Sequence, residues 1–146
     1  MSSNWNKGRL IIALILGVPA CLMFLFSIAR PVMGSSGSFI DPVLSATCHR
    51  MPSRCLILPW GVSGLCARCT FFWLGLAAGI ILMYSSVFEL PFWTGFPALL
   101  PLVADGLLQY HSLYESTNLI RAVTGLAAGF GISVIILGKG HLKKGR

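Results

Sequence analysis

Apolar residues in this chain fall into long blocks with at most one charge each, divided by polar breaks, not into the alternating or one-faced rhythm of a water-soluble fold. The first block, residues 10–29, is twenty residues without a charge, matching the roughly 20 that cross a bilayer core. Pro19 inside it is compatible with a membrane helix, whose neighbours satisfy the freed carbonyl. A second block covers residues 68–88 and is closed by Glu89 and Pro91. A third, 91–109, is broken by Gly95, Pro97 and Pro101 and carries Asp105 and Gln109 near its end. After a polar connection, Tyr110 to Asn118, in which Ser116 or Asn118 can cap a helix, the fourth block occupies 119–138. The pattern predicts an all-α integral membrane protein: one membrane domain over 1–146, four transmembrane helices, and a long loop, 30–67, between the first two. A signal peptide is the rival reading of the first block, with Ser27-Ile28-Ala29 as a cleavage-like triplet, but the block is long for that role and further spans follow it.

Within the loop, Gly34-Ser35-Ser36-Gly37-Ser38 is a flexible beginning. Asp41-Pro42 reads as an N-cap followed by proline at the first helical position. A short helix through Val43–Thr47 then ends before Pro52 and presents Cys48 and His49 at its last turn. Pro59, Gly61 and Gly64 mark turns. The apolar content, Leu56-Ile57-Leu58 with Trp60 and Val62, predicts a loop packed at the membrane interface rather than a disordered one. Gly75-Leu76-Ala77-Ala78-Gly79 in the second span recurs as Gly125-Leu126-Ala127-Ala128-Gly129 in the fourth. Each is a Gly-x-x-x-Gly face that lets helix backbones approach, so Gly75/Gly79 and Gly125/Gly129 are the expected helix–helix contact surfaces.

Composition sharpens this picture. Hydrophobic residues make up 55%, charged residues 10%, and the mean hydropathy is +0.81, against about 25% charged residues in an ordinary soluble domain. The bilayer is therefore the expected partner. The net charge of +7 comes from cations at segment ends, without a basic stripe interleaved with aromatics, which excludes a nucleic-acid-binding surface. With four spans, Lys7, Arg9, Lys139, Lys143, Lys144 and Arg146 share one side and Arg30, Arg50, Arg54, Arg68 and Arg121 the other. The lysine-rich terminal set reads as the topology signal, placing both termini in the cytoplasm and the cysteine loop outside the cell membrane.

Candidate chemistry concentrates between Cys48 and Cys69, where four of the five cysteines lie. An odd count precludes complete internal pairing, and Cys21, mid-helix, reads as a small buried hydrophobe. Cys66-x-x-Cys69 opens a predicted helix, where the helix N-terminus and Arg68 favour thiolate, the form that binds metal or exchanges disulfides. Cys48, His49, Cys66 and Cys69 make up a set of the kind tetrahedral zinc takes, with Cys55 as an alternative fourth ligand. Asp105 and Gln109, four apart, share a helix face, as do Asn118 and Arg121. Ionisable groups at membrane depth need a partner or a cavity, so Asp105 with Arg68 or Arg121 is the expected ion pair. Cys66, Cys69, Asp105 and Arg121 are the candidate catalytic residues; Arg68, Gln109 and Asn118 are the candidate cofactor-binding ones.

The residues Cys48-His49-x-x-Pro52-x-Arg54, Cys66-Ala67-Arg68-Cys69-Thr70 with Gly75, Asp105-Gly106-x-x-Gln109, and Ser116-Thr117-Asn118-x-x-Arg121 with Gly125 carry a resemblance. From about Cys48 to Gly129 the chain resembles a family of small prokaryotic multi-pass membrane proteins of unknown function with a Cys-His and Cys-x-Arg-Cys signature. The resemblance implies several spans and no particular activity. It also implies that serine commonly stands at the Cys55 position, which makes Cys48, His49, Cys66 and Cys69 the essential group. Three functions remain in view: a zinc-like metal site beside a polar pocket; a quinone-linked thiol–disulfide oxidoreductase, similar in logic to the vitamin K epoxide reductase and disulfide-bond-formation families though not in spacing; and an accessory or assembly subunit of a membrane complex.

Overall fold

The computed structural model describes residues 2–85, 90–111 and 114–139. Glu89, read above as closing the second span, and the tail with His141, Lys143, Lys144 and Arg146 lie outside the described residues. The chain is mostly helical. Helix α1 (Ser2–Ala29) is followed by a 3-10 turn (Gly34–Ile40) and the short α2 (Asp41–Thr47). Strands β1 (Cys55–Leu58) and β2 (Gly61–Cys66) lead straight into α3 (Ala67–Tyr84), and α4 (Gly95–Tyr110) and α5 (Asn118–Leu137) complete the fold. Among the described residues, three helical segments are long and apolar enough to cross a membrane: Lys7–Ala29, Ala67–Tyr84 and Asn118–Leu137. The third predicted block is a 3-10 turn, Phe92–Thr94, followed by the 16-residue α4, which continues through Pro101.

The helices pack in the order α1, α3, α5, α4. Backbone proximity dictates the central pair. A Cβ at Gly125 would strike the Arg68 carbonyl, one at Gly129 the Phe72 carbonyl, and one at Gly79 the Ser133 side chain, so α3 and α5 run parallel at near-contact distance. The two Gly-x-x-x-Gly faces are thus used inside the chain, on each other's helices. Helix α1 runs antiparallel to α3, from Arg9, whose Nη2 donates to the Met83 carbonyl at 2.8 Å, to Ser27, whose hydroxyl lies 2.7 Å from that of Thr70. One apolar cluster, including Ala20, Leu76, Ile80, Met83 and Val134, fills the middle. Many large side chains on the outer faces stay exposed, among them Ile15 and Leu25 on α1, Leu100 and Leu107 on α4, and Leu119 and Val123 on α5. Water would not tolerate so much apolar surface; lipid does.

The loop differs from its sequence reading, and the fold is not all-α. A two-stranded antiparallel hairpin occupies most of its second half, with Cys55 opposite Cys66, Ile57 opposite Val62 and Leu58 opposite Gly61. Its period-2 signal is hidden by a register irregularity between Cys55 and Ile57 and by the glycines of β2. Gly61 is required at the turn, since its φ of +132° is a glycine conformation and a Cβ there would strike Pro31. The hairpin is tied to the bundle by Leu65 N–H donating to Ser27 Oγ (3.2 Å) and by Trp60 Nε1–H donating to the Ile28 carbonyl (3.1 Å). Leu65 also joins Met23, Ile40 and Leu44 in a second apolar cluster under the loop.

Two caps also differ. Ile40 occupies the N-cap position of α2, leaving Asp41 in the first turn, where its carboxylate takes a two-pronged contact from Arg30 (2.8 and 2.6 Å) and a third from Arg50 Nη1 (2.9 Å). At α5 the cap is Thr117, whose Oγ1 accepts from Ile120 N–H at 3.3 Å, which frees Asn118 for another partner.

Candidate metal centre

Two segments bring three thiols together. Helix α2 stops at Cys48, whose extended backbone (φ −153°, ψ 139°) turns the chain out of the helix. Arg50 then adopts φ +50°, a left-handed conformation that costs a non-glycine residue about 1–2 kcal/mol. That reversal points Arg50 N–H back at Cys48 Sγ (3.4 Å), and Cys66 N–H approaches the same sulfur at 3.5 Å. Cys66 ends β2 and is the N-cap of α3, so the hairpin sets its position and the helix sets that of Cys69 one turn on. The sulfurs of Cys48, Cys66 and Cys69 all lie within 4.8 Å of one another, and none is in a disulfide.

The electrostatics favour a thiolate at the centre of this group. Cys48 is held well below the ordinary thiol range, first by sharing protons with Cys66 and then with Cys69, helped by the two backbone N–H groups. Cys66 is pushed up, first by the same sharing with Cys48. Cys55 stands apart from the cluster. It is 2% exposed, its Sγ donates to the Met51 carbonyl at 3.2 Å, and burial pushes its thiol up.

A cavity of about 350 Å³ opens over the three cysteines, with His49, Arg50, Arg54 and Arg68 among its walls. His49 is exposed on that wall and is not one of the clustered ligands. Arg68 joins the cavity to the far polar group: its Nη2 contacts Asp105 Oδ2 and lies 3.4 Å from Gln109 Oε1. Asp105, 4% exposed, also accepts a hydrogen bond from the Tyr114 hydroxyl. Reading the sequence missed Tyr114; its place just beyond the polar face of α4 was the available signal. Asn118 donates to the Cys55 carbonyl at 3.1 Å and accepts from Arg121 Nη1 at 3.1 Å. Arg121 is 7% exposed, its Nε has no partner, and among the described residues no carboxylate pairs with it.

The comparisons with known proteins agree with the membrane reading. A family model described as "Predicted membrane protein (DUF2085)" matches residues 48–135, which hold four of the five cysteines, α3, α4 and most of α5. "Uncharacterized protein MJ1492" of Methanocaldococcus jannaschii is 36% identical over 101 residues, 65% of this chain and 64% of that one. The chain thus spans just under two thirds of that relative's length. An uncharacterized protein of Methanothermobacter thermautotrophicus is 33% identical over 98 residues, covering 65% of this chain and 88% of the relative. No solved structure matches the chain.

Proposed function

This chain belongs to that family of predicted membrane proteins, and from that premise we propose that it is a multi-pass membrane protein whose Cys48, Cys66 and Cys69 hold a zinc-like ion at the membrane interface. The observation that carries the reading is the convergence of three free thiols within 4.8 Å. Tetrahedral zinc with Zn–S bonds near 2.3 Å spaces its sulfurs about 3.8 Å apart, so a small contraction completes the site. Thiolate ligands suit zinc and other soft-to-borderline ions, and amide donors to Cys48 are the support such a ligand needs. His49, the fourth ligand expected from the sequence, stands on the cavity wall outside the cluster of three, so the fourth position of the ion is left to a group from outside the chain. Arg68, Asp105, Gln109, Asn118 and Arg121 form the neighbouring polar pocket.

Four spans are part of this proposal. The turn and α4 together occupy Phe92–Tyr110, and α4 begins beside Gly131 near the end of α5 and brings Asp105 to Arg68 at the start of α3. A segment that joins both ends of the bundle supports a full crossing. Both termini then share the lysine-rich, cytoplasmic side, and the cysteine loop lies outside.

Elemental analysis of purified protein tests the metal: about one zinc per chain is expected, lost in Cys66→Ser and Cys69→Ser. Metal-free protein with unchanged stability would overturn it. One observation favours a second reading, a thiol–disulfide relay to a quinone: Cys55 lies directly across the hairpin from Cys66. Such partners have Cα atoms about 4.5–5.5 Å apart, within disulfide reach. Oxidation of that pair would pass two electrons and two protons to the quinone.

A further inference from the structure

The cavity over the three cysteines is lined with positive charge and, among the described residues, by no carboxylate. Its arginines are not equivalent. Arg50 is tied back to Asp41 and Arg68 to Asp105. Arg54 is half-buried on the wall, and among the described residues its side chain makes no hydrogen bond or ion pair; His49 is likewise unpartnered. A dication held by three thiolates carries one negative charge, which offsets one guanidinium. Arg30 and Arg50 share the single carboxylate of Asp41, so the surroundings retain a net positive charge. Three protein ligands also leave the fourth position of a tetrahedral ion open, and all three line the cavity.

We infer that this cavity binds a small oxyanion, a carboxylate or phosphate group, with one oxygen on the fourth position of the metal and the others held by Arg54 and His49. This rests on the metal reading above and names the ligand class of the same site. A guanidinium presents paired N–H donors that match such an anion, and the first-turn N–H groups of α3, which begins between Cys66 and Cys69, add a fixed positive end. The volume, about 350 Å³, exceeds a bare ion and leaves room for a substituent. At a membrane interface the group arrives either free in solution or as a lipid headgroup.

The test uses the full chain loaded with cobalt(II), whose visible spectrum reports both thiolate ligation and coordination number. Wild-type protein and Arg54→Gln are titrated with inorganic phosphate and acetate in detergent, and compared in phosphatidylcholine nanodiscs with and without phosphatidic acid. A spectral shift with a dissolved anion, weakened about tenfold or more in Arg54→Gln while cobalt content is unchanged, supports the inference with a soluble source. A shift only with phosphatidic acid, weakened in the same way, supports it with a headgroup source. One cobalt per chain with a spectrum that no anion moves, or a shift equal in Arg54→Gln, overturns the inference and leaves the metal site standing. Failure of the wild type to bind cobalt overturns the metal reading itself, and this inference with it. If Arg54→Gln loses cobalt, Arg54→Lys replaces it, keeping the charge without the paired donors; anion affinity equal to wild type in Arg54→Lys overturns the paired-donor contact.

Discussion

The Asn118 side chain donates a 3.1 Å hydrogen bond to the carbonyl of Cys55, 63 residues earlier in the chain. It joins the start of the last helix to the first strand of the cysteine hairpin, so the loop after α1 and the connection after α4 meet at one end of the bundle. Arg9, Met83 and Leu137 meet at the other.

Labelling should therefore find these two connections on one membrane face. In a background with the native cysteines replaced, Ser53→Cys and Glu115→Cys are expected to react with an impermeant thiol reagent from the same side, and a cysteine at Lys7 from the opposite side. Reaction of positions 53 and 115 from opposite sides would rule out the four-span arrangement.

Cys55 separates the two chemical readings. Its thiol is buried against Met51 and lies outside the cluster of three. Cys55→Ser is expected to retain the full metal content, whereas Cys48→Ser loses it. Zinc unchanged in Cys48→Ser would sink the metal site, and loss of a thiol-oxidation activity in Cys55→Ser alone would favour the relay.

Glycine packing between α3 and α5 makes a sharper mechanical prediction. A Cβ at Gly129 would meet the backbone of Phe72 and Leu76, whereas one at Gly106 meets nothing within 4 Å. Gly129→Val forces the backbones apart and is expected to cost about 2–3 kcal/mol or more. Gly106→Ala is expected to be neutral or slightly stabilising. Thermal unfolding in one detergent compares them, and equal melting temperatures would contradict the close α3–α5 approach.

That packing was legible beforehand because Gly-x-x-x-Gly states its purpose locally, and long apolar runs declare α1, α3 and α5 by length alone. The Arg68–Asp105 pairing was also within reach, since a lone carboxylate in an apolar helix needs a cation. The hairpin was not. Leu56-Ile57-Leu58 does not alternate, β2 carries two glycines, and pairing appears only once Ser63 Oγ accepts Leu56 N–H at 2.9 Å and restores the interrupted ladder. The seam of Ser27 and Thr70 was equally hidden, because two hydroxyls in separate apolar spans look incidental until the helices face each other. The left-handed turn at Arg50 has no signal, since an arginine gives no local reason for positive φ.

Acid is expected to loosen the loop through Asp41. Arg30, bonded to both carboxylate oxygens, and Arg50 hold its carboxyl down to about 2, below an unfolded value near 4. A carboxyl depressed in the folded state contributes stability that is complete above its unfolded value and disappears as pH falls through the folded one. The difference in melting temperature between wild type and Asp41→Asn should therefore be constant above about pH 5 and shrink toward zero near pH 2. Taking the difference cancels the cysteines, which both proteins share. A gap that persists to pH 2 would show that the Asp41 ion pairs do not hold the loop.

The polar group at the far wall sets up the last prediction. Asp105 is 4% exposed, and its two oxygens serve different elements, one taking Arg68 from α3 and the other the Tyr114 hydroxyl from the following connection. Removing the carboxylate leaves the Arg68 guanidinium, whose Nε already lacks a partner, as an uncompensated charge at the cavity wall with only the Gln109 side-chain oxygen beside it. Breaking a buried pair on one side costs on the order of 3–5 kcal/mol, mostly for the charge left behind. Asp105→Ala should therefore destabilise strongly, and adding Arg68→Met to it should recover a large part of the loss, because the orphaned charge goes as well. Tyr114→Phe, which removes one neutral donor and leaves the ion pair, should cost clearly less than Asp105→Ala. Unfolding midpoints of the wild type, these three variants and Arg68→Met alone decide the matter. A double variant as unstable as the sum of its singles would mean that Arg68 and Asp105 act independently, and that α3 and α4 are not held together by this pair.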